Sequence, residues 1–311
     1  MISIVGTTAT GKTALGMELA RELGGEIINA DALQVYRGFD IGTDKPPIEL
    51  RREIPHHLID ILDPEERYSA GEFVRRAETA MEEIRARGRW PIVVGGSGLY
   101  QRALLEGISP IPPGDEEIRA ELEGRLEAEG LEALHAELAR IDPETAERLP
   151  KSDRQRILRA LEVAAATGEP LSEWLRRQPF GVQRRPAIRI GLTLPRSILY
   201  DRVAARVEQM VRRGWVDEVA TILTQGVDTG CPAFQAIGYR QIARHVTGEW
   251  SLEAATIDTI RATRRYAKRQ TTWFRKERGV RWISAMELPE SLPSLLRELR
   301  SGEESWLNEQ A

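Results

Sequence analysis

The chain has 311 residues, 41% hydrophobic and 30% charged, with a formal net charge of −4, enough apolar material for a good core and a length that suggests two domains. A single cysteine, Cys231, excludes a disulfide framework and fits a reducing cytoplasm. No run approaches membrane-spanning length and no basic, apolar, small-residue leader precedes the first strand residues, so neither export nor anchoring is expected.

The apolar run Ile2-Ser3-Ile4-Val5 leads into Gly6-Thr7-Thr8-Ala9-Thr10-Gly11-Lys12-Thr13. This spacing, G-x-x-x-x-G-K-[ST], builds a phosphate cradle. Glycines let the backbone wrap oxygen atoms, amides point toward the start of the next helix, Lys12 adds a mobile charge and Thr13 offers a hydroxyl to magnesium. Leu15, Leu19 and Leu23 then recur at helical spacing, and Gly24-Gly25 mark a left-handed cap. A diphosphate or triphosphate is therefore expected, although the loop does not say which ester it holds.

Glu26 to Ala30 and Pro91 to Val94 are further short strands, separated by the helical pattern Phe73, Ala77, Met81 and Ile84. Alternation of this kind predicts a parallel sheet with ligand sites beyond the carboxyl ends of its strands, where Asp31 and Gly95-Gly96-Ser97 lie. Asp31 has three readings: it orients a hydrated magnesium ion, acts as a general base, or closes a turn. The adjacent His56 and His57 invite a metal reading, but neighbouring side chains diverge, which favours a structural role.

Pro110-Ile111-Pro112-Pro113-Gly114 breaks the alternation. Ile118, Leu122 and Leu126, then Leu131, Leu134 and Leu138, predict a helical segment that continues to about Trp174 and ends near Pro179 to Pro186. Ile188 to Leu194 reads as a return to the sheet. The fold expected is α/β, with residues 1–113 and 186–311 as core and 114–185 as a helical insertion.

Charge is sorted along the chain. Glu106 to Arg148 carries a balance of −9, Lys151 to Arg213 one of +8 and Arg261 to Arg281 again +8. Two basic blocks suggest a surface for a polyanion larger than a nucleotide. Arg261, Arg264, Arg265, Lys268 and Arg275 fall on one helical stripe with Tyr266, Trp273 and Phe274 interleaved. That stripe reads either as a solvated face whose aromatics reach the core or as a track for RNA phosphates.

In order, the loop, Asp31-Ala32-Leu33-Gln34-Val35-Tyr36-Arg37, Asp40 to Pro46, Pro55 to Asp60, Gly95 to Tyr100, Gln155 to Glu162, Ile237 to Gln241 and Lys268 to Arg275 resemble the tRNA dimethylallyltransferases, or tRNA isopentenyltransferases, over nearly the whole chain. The resemblance implies a phosphate-loop, NTPase-like parallel core with an inserted helical domain that holds the tRNA anticodon arm. It implies transfer of a dimethylallyl group from dimethylallyl diphosphate to N6 of adenosine 37 in the anticodon loop, with Mg2+ as the ion at Thr13. A cytoplasmic monomer is expected.

The same resemblance assigns Gly6, Thr7, Thr8, Ala9, Thr10, Gly11, Lys12, Thr13 and Arg206 to the diphosphate, with Asp31, Thr8 and Arg206 in the chemistry. To the RNA it assigns Asp31, Ala32, Leu33, Gln34, Ser97, Arg119, Gln155, Arg156, Arg159, Gln235, Gly238, Tyr239, Arg240, Lys268, Arg269, Gln270, Trp273 and Arg275. Departures from the family pattern are Thr7 for proline and Thr10 for serine in the loop, Ala32 for serine, Ser97 for threonine, and Gln235 where arginine is frequent. Without the later motifs, a small-molecule or nucleoside kinase would share the loop, the sheet and Asp31. A non-catalytic RNA-binding protein would not need an intact Lys12, Thr13 and Asp31.

Overall fold

The computed structural model describes residues 1–177 and 185–308, so the expected end of the helical segment near Pro179 to Pro186 falls mostly outside the described residues. The chain forms two compact units, Met1–Leu105 with Arg185–Ala311, and Glu106–Arg184. The first boundary lies ahead of the proline run at which the sequence places it.

In the first unit, β1 (Ile2–Gly6) is buried along its length, as a central parallel strand covered on both faces must be. After the loop, α1 (Lys12–Leu23) buries Leu15, Leu19 and Ala20 and stops at Gly24, which has φ 64° and donates its N–H to Ala20 O. β2 (Gly25–Asn29), α2 (Ile48–Glu53) and the two-residue β3 (His56–His57) follow. α3 (Ala70–Ala86) begins at Ser69, whose side chain accepts from the Glu72 N–H, and it buries Phe73, Ala77, Met81 and Ile84 as their spacing predicts. β4 (Trp90–Val94) and α4 (Gly98–Glu106) complete this half.

The second unit is helical: α5 (Glu116–Glu129), α6 (Leu131–Ile141), α7 (Pro143–Arg148), α8 (Arg154–Thr167) and α9 (Leu171–Arg177). Asp115, Asp142 and Asp153 cap three of these helices through backbone N–H groups. Leu122, Leu134, Leu138, Ile157 and Leu161 form its core. The apolar spacings read from the sequence thus find one another.

The chain resumes the sheet with β5 (Ile188–Thr193), continues through α10 (Arg196–Arg212), α11 (Trp215–Thr224), α12 (Tyr239–Val246) and α13 (Leu252–Phe274), and ends with β6 (Val280–Ser284) and α14 (Leu288–Asn308). The six strands are parallel in the order β3-β2-β4-β1-β5-β6. The outer strands β3 and β6 were not expected. None of the helices, over the described residues, is long and apolar enough to cross a membrane.

A second core in the first unit fixes the segment before α2. Trp215 is 1% exposed and lies so close to Gly42 and Gly238 that a Cβ on them would come within 2.3 Å and 2.0 Å of its ring. Tyr239 donates its hydroxyl to Glu218 at 2.6 Å. Glu218 in turn accepts the backbone N–H groups of Asp40 and Ile41 at 3.1 and 2.7 Å. Asp40 to Asp44 is thereby tied to α11 and α12. Because Gly238 also holds φ 99°, Gly238→Ala adds left-handed strain to overpacking, and we expect a stability loss of about 2–4 kcal/mol. An unchanged urea midpoint would contradict that packing argument.

Candidate active site

The sheet order sets β2, β4 and β1 side by side, so the segments that leave their carboxyl ends converge. Ala30 N–H donates to Val94 O at 2.8 Å and Gly95 N–H to Ile4 O at 3.3 Å. A Cβ on Gly95 would lie 2.0 Å from Ala30 O, which is why glycine occupies that crossing. The phosphate loop, Asp31 and Gly95-Gly96-Ser97 therefore share one cavity of about 780 Å³.

The loop is held by its own groups. Thr10 Oγ1 and Lys12 Nζ both donate to Thr7 O, at 2.8 and 2.6 Å. Ala9, with φ 63°, adopts a left-handed conformation costly for a residue with a Cβ. A Cβ on Gly6 would meet Leu192 O at 2.7 Å, so the loop can leave β1 only through glycine. Thr8 is fixed from outside the loop: Gln270 Oε1 accepts its N–H at 2.8 Å, and Arg206 Nη1 donates to its Oγ1 at 3.0 Å.

Arg206 comes from α10 and pairs through Nη2 with Asp44 at 2.9 Å. Asp44 also meets Arg213 at 3.4 Å and sits at φ 54°. The sequence reading missed Asp44 as an anchor of Arg206; its only signal was membership of the Asp40 to Pro46 motif. Gln34 holds the same segment by donating to Thr43 O and Asp44 O at 2.9 and 3.1 Å.

Two cations meet at one loop, Lys12 from within it and Arg206 from α10. Lys12 is only half-buried by its exposure, but loss of hydration around its ammonium and then the charge of Arg206 push its pKa down to about 7, with Asp31 opposing the shift. Asp31 accepts the Leu33 N–H on Oδ1 at 2.9 Å, which satisfies the turn reading for one oxygen. Among the described residues, no protein donor is bonded to Oδ2. The carboxylate is thus oriented by its turn while its second oxygen stays available in the cavity.

No cluster of three His, Cys, Asp or Glu residues fit for a metal occurs among the described residues. His57 instead pairs with Glu26 at 2.7 Å and His56 Nδ1 lies 2.7 Å from Ile54 O. Thr13 and Asp31 are oxygen donors lining the cavity, a set suited to magnesium, which takes one or two protein oxygens and completes its shell from phosphates and water.

Of the residues read from the sequence, the cavity gathers Thr8, Ala9, Gly11, Lys12, Thr13, Asp31, Ala32, Leu33, Gln34, Ser97, Arg206, Gln235, Arg269 and Gln270. Gly6, Thr7 and Thr10 are buried and shape the loop from beneath. Tyr239 is a correction: with 0% exposure and its phenol committed to Glu218, it is closed to RNA and serves the core, as does Gly238 against Trp215. The side chain of Gln270, 5% exposed, is likewise turned inward, at the cavity wall.

α13 divides the stripe of charges. Arg261, Arg265, Lys268, Arg269 and Arg275 are exposed, whereas Arg264 turns in to donate to Tyr200 O at 3.2 Å. Phe274 is buried and follows the core reading, Trp273 is half-buried under Arg102, 4.8 Å away, and Tyr266 lines the cavity. Arg240 is exposed at α12. In the helical unit Gln155 and Arg156 are exposed, but Arg119 and Arg159 both pair with the buried Glu162, at 3.6 and 3.2 Å.

The family described as IPP transferase matches residues 34–277, and that described as isopentenyl transferase matches residues 1–54. The chain is 46% identical to a tRNA dimethylallyltransferase of Geobacter metallireducens over 95% of both chains. With one of Thermomicrobium roseum it shares 47% over 100% of this chain and 92% of the relative. The chain belongs to the tRNA dimethylallyltransferase family.

Solved structures of the family agree with the fold. The tRNA isopentenylpyrophosphate transferase of Bacillus halodurans superposes with TM-score 0.67 at 39% identity, covering 97% of this chain and 98% of that one. A eukaryotic dimethylallyltransferase acting on tRNA gives 0.79 at 28% identity, covering 94% and 75%.

The depressed Lys12 pKa makes a signed prediction. Between about pH 7 and the ordinary lysine value of 10.5, the unfolded chain holds a proton that the folded one has lost, so stability rises with pH across that window. Below it the charged ammonium is a burden on the folded state. Lys12→Met should therefore be stabilising at pH 6.5 and should flatten the rise; denaturation curves at pH 6.5 and 9.5 that shift equally in both proteins would contradict this.

Proposed function

We propose that this protein transfers a dimethylallyl group from dimethylallyl diphosphate to N6 of adenosine 37 in the anticodon loop of tRNAs, giving N6-isopentenyladenosine and diphosphate. The observation that carries the reading is the meeting, in one cavity, of a two-cation phosphate loop with the oriented carboxylate of Asp31. A kinase would share the loop, but the family matches span the chain beyond it.

The diphosphate binds against the loop, where Lys12 and Arg206 take up the charge that accumulates on it as the C–O bond breaks. Lys12 gains its proton-holding power as the anion arrives, because an opposite charge raises the pKa that desolvation has lowered. Thr8 Oγ1, aligned by Arg206, offers a hydrogen bond to the departing oxygen. Magnesium, held by Thr13 and the diphosphate, would supply further charge neutralisation.

The adenine amine is a poor nucleophile because its lone pair is delocalised. As the N–C bond forms, Asp31 Oδ2 takes the proton that N6 loses, while Oδ1 remains bound to Leu33 N–H. An adenine stacked in its loop cannot reach this carboxylate, so the base turns out of the stack into the cavity. The exposed Lys268 and Arg269 of α13, and Arg275 at its C-cap, provide charge for the RNA backbone. Every group assigned to the transfer lies in one chain, which supports a working monomer; a cytoplasmic site of action accords with a tRNA substrate.

The direct test incubates the protein with unmodified tRNA, dimethylallyl diphosphate and magnesium and analyses nucleosides by mass. N6-isopentenyladenosine is expected. Transfer of labelled γ-phosphate from ATP to small acceptors, with no prenylated RNA, would establish the kinase instead.

Asp31→Ala should lower the transfer rate by roughly 10²–10⁴-fold while tRNA affinity changes little; retained turnover in a single-turnover assay removes Asp31 from proton transfer. Lys268→Ala with Arg269→Ala should weaken tRNA binding and reduce the slope of log Kd against log salt by roughly 1.4–1.8. Filter binding that gives identical slopes would return α13 to a merely solvated face.

A further inference from the structure

Gln270 is the buried polar side chain that joins α13 to the phosphate loop. Its Oε1 accepts the Thr8 N–H at 2.8 Å and its Nε2 donates to Gly96 O at 2.9 Å. The two bonds connect the loop after β1, the segment after β4 and a helix more than 170 positions away in sequence. Gly96 is shaped to admit it: a Cβ there would lie 2.4 Å from Gln270 Nε2. Just before it Lys268 and Arg269 are exposed, whereas Gln270 is buried.

The consequence for Thr8 is specific. A peptide N–H in such a loop would ordinarily be aimed at the ligand, but that of Thr8 is committed to Gln270. With its amide fixed, Thr8 presents Oγ1 to Arg206 at 3.0 Å, and Arg206 is itself held by Asp44. Rotation of the Thr8 peptide would carry Oγ1 away from Arg206 and separate the two groups assigned to the departing oxygen. Loss of Gln270 would also take the partner from the part-buried Thr8 N–H and from the buried Gly96 O.

We infer that Gln270 is a positioning residue for the diphosphate: it sets the orientation of Thr8 and so aligns Thr8 Oγ1 with Arg206 for the leaving group. This rests on the reading of the cavity as a prenyl diphosphate site. It also makes α13 two-sided, with a charged face outward and a single amide inward that reaches the reacting end of the loop.

The test measures three quantities on Gln270→Leu and Gln270→Glu beside the wild type: pyrophosphate affinity by calorimetry, kcat with saturating substrates, and tRNA affinity by filter binding. Leucine removes both bonds, while glutamate retains an acceptor for Thr8 and forfeits the donor to Gly96. For leucine we expect pyrophosphate affinity and kcat each to fall about 10-fold or more, with tRNA affinity within about two-fold of wild type. Glutamate should weaken pyrophosphate as well, by charge and by the lost donor, again with tRNA binding retained.

Pyrophosphate binding and kcat unchanged in either folded variant would overturn the inference, as would weakened tRNA binding with pyrophosphate binding intact. Failure of both variants to fold would assign Gln270 a structural role instead. Wild-type protein that binds no pyrophosphate would refute the reading of the cavity and Gln270 with it. Wild type and variants that bind pyrophosphate and turn over alike would refute Gln270 alone.

Discussion

Two positive side chains at one loop are the constraint around which the first unit is organised. Loss of hydration first, and the charge of Arg206 second, lower the Lys12 pKa to about 7, so each cation needs an anchor that prevents the pair from drifting apart. Lys12 is tethered to Thr7 O within the loop, and Arg206 is tethered to Asp44 from outside it. Asp44 is placed by a chain of contacts through Gln34, Glu218, Tyr239 and the buried Trp215. An anion is what such a pair is built to receive, and water exclusion in the cavity strengthens the attraction.

The division of labour between the two faces of α13 follows from the same geometry. Its inward residues complete the cavity and its outward ones stay charged and solvated, so one element can serve a small diphosphate and a large polyanion. The helical unit has a separate logic. Its core is Leu and Ile at helical spacing, and Glu162 gathers Arg119 and Arg159, leaving Arg156 and Gln155 as its exposed polar residues from the sequence motif.

Much of the central sheet was legible because β1, β2, β4 and β5 are short apolar runs, which only a strand covered on both faces requires. The edge strands were not. β3 is a pair of histidines, and β6 exposes Arg281 and Trp282, so neither carries an apolar period to read. The phosphate loop and Asp31 could be placed because their chemistry is local: eight consecutive positions and one strand end. Gln270 and Tyr239 could not, because a side chain's direction depends on partners far along the chain. The Gln270 amide answers Thr8, 262 positions away, and the Tyr239 hydroxyl answers Glu218. Motif membership located both residues correctly in sequence but left the inward turn of their side chains unseen.

Where a prenyl diphosphate places its head group decides the chemistry of the cavity. A crystal structure with an unreactive thiolodiphosphate analogue of the donor tests this directly. Diphosphate oxygens against Lys12 and Arg206, with the prenyl carbon facing Asp31, are the predicted result. A head group bound elsewhere, or a nucleotide triphosphate displacing the analogue from the loop, would contradict it.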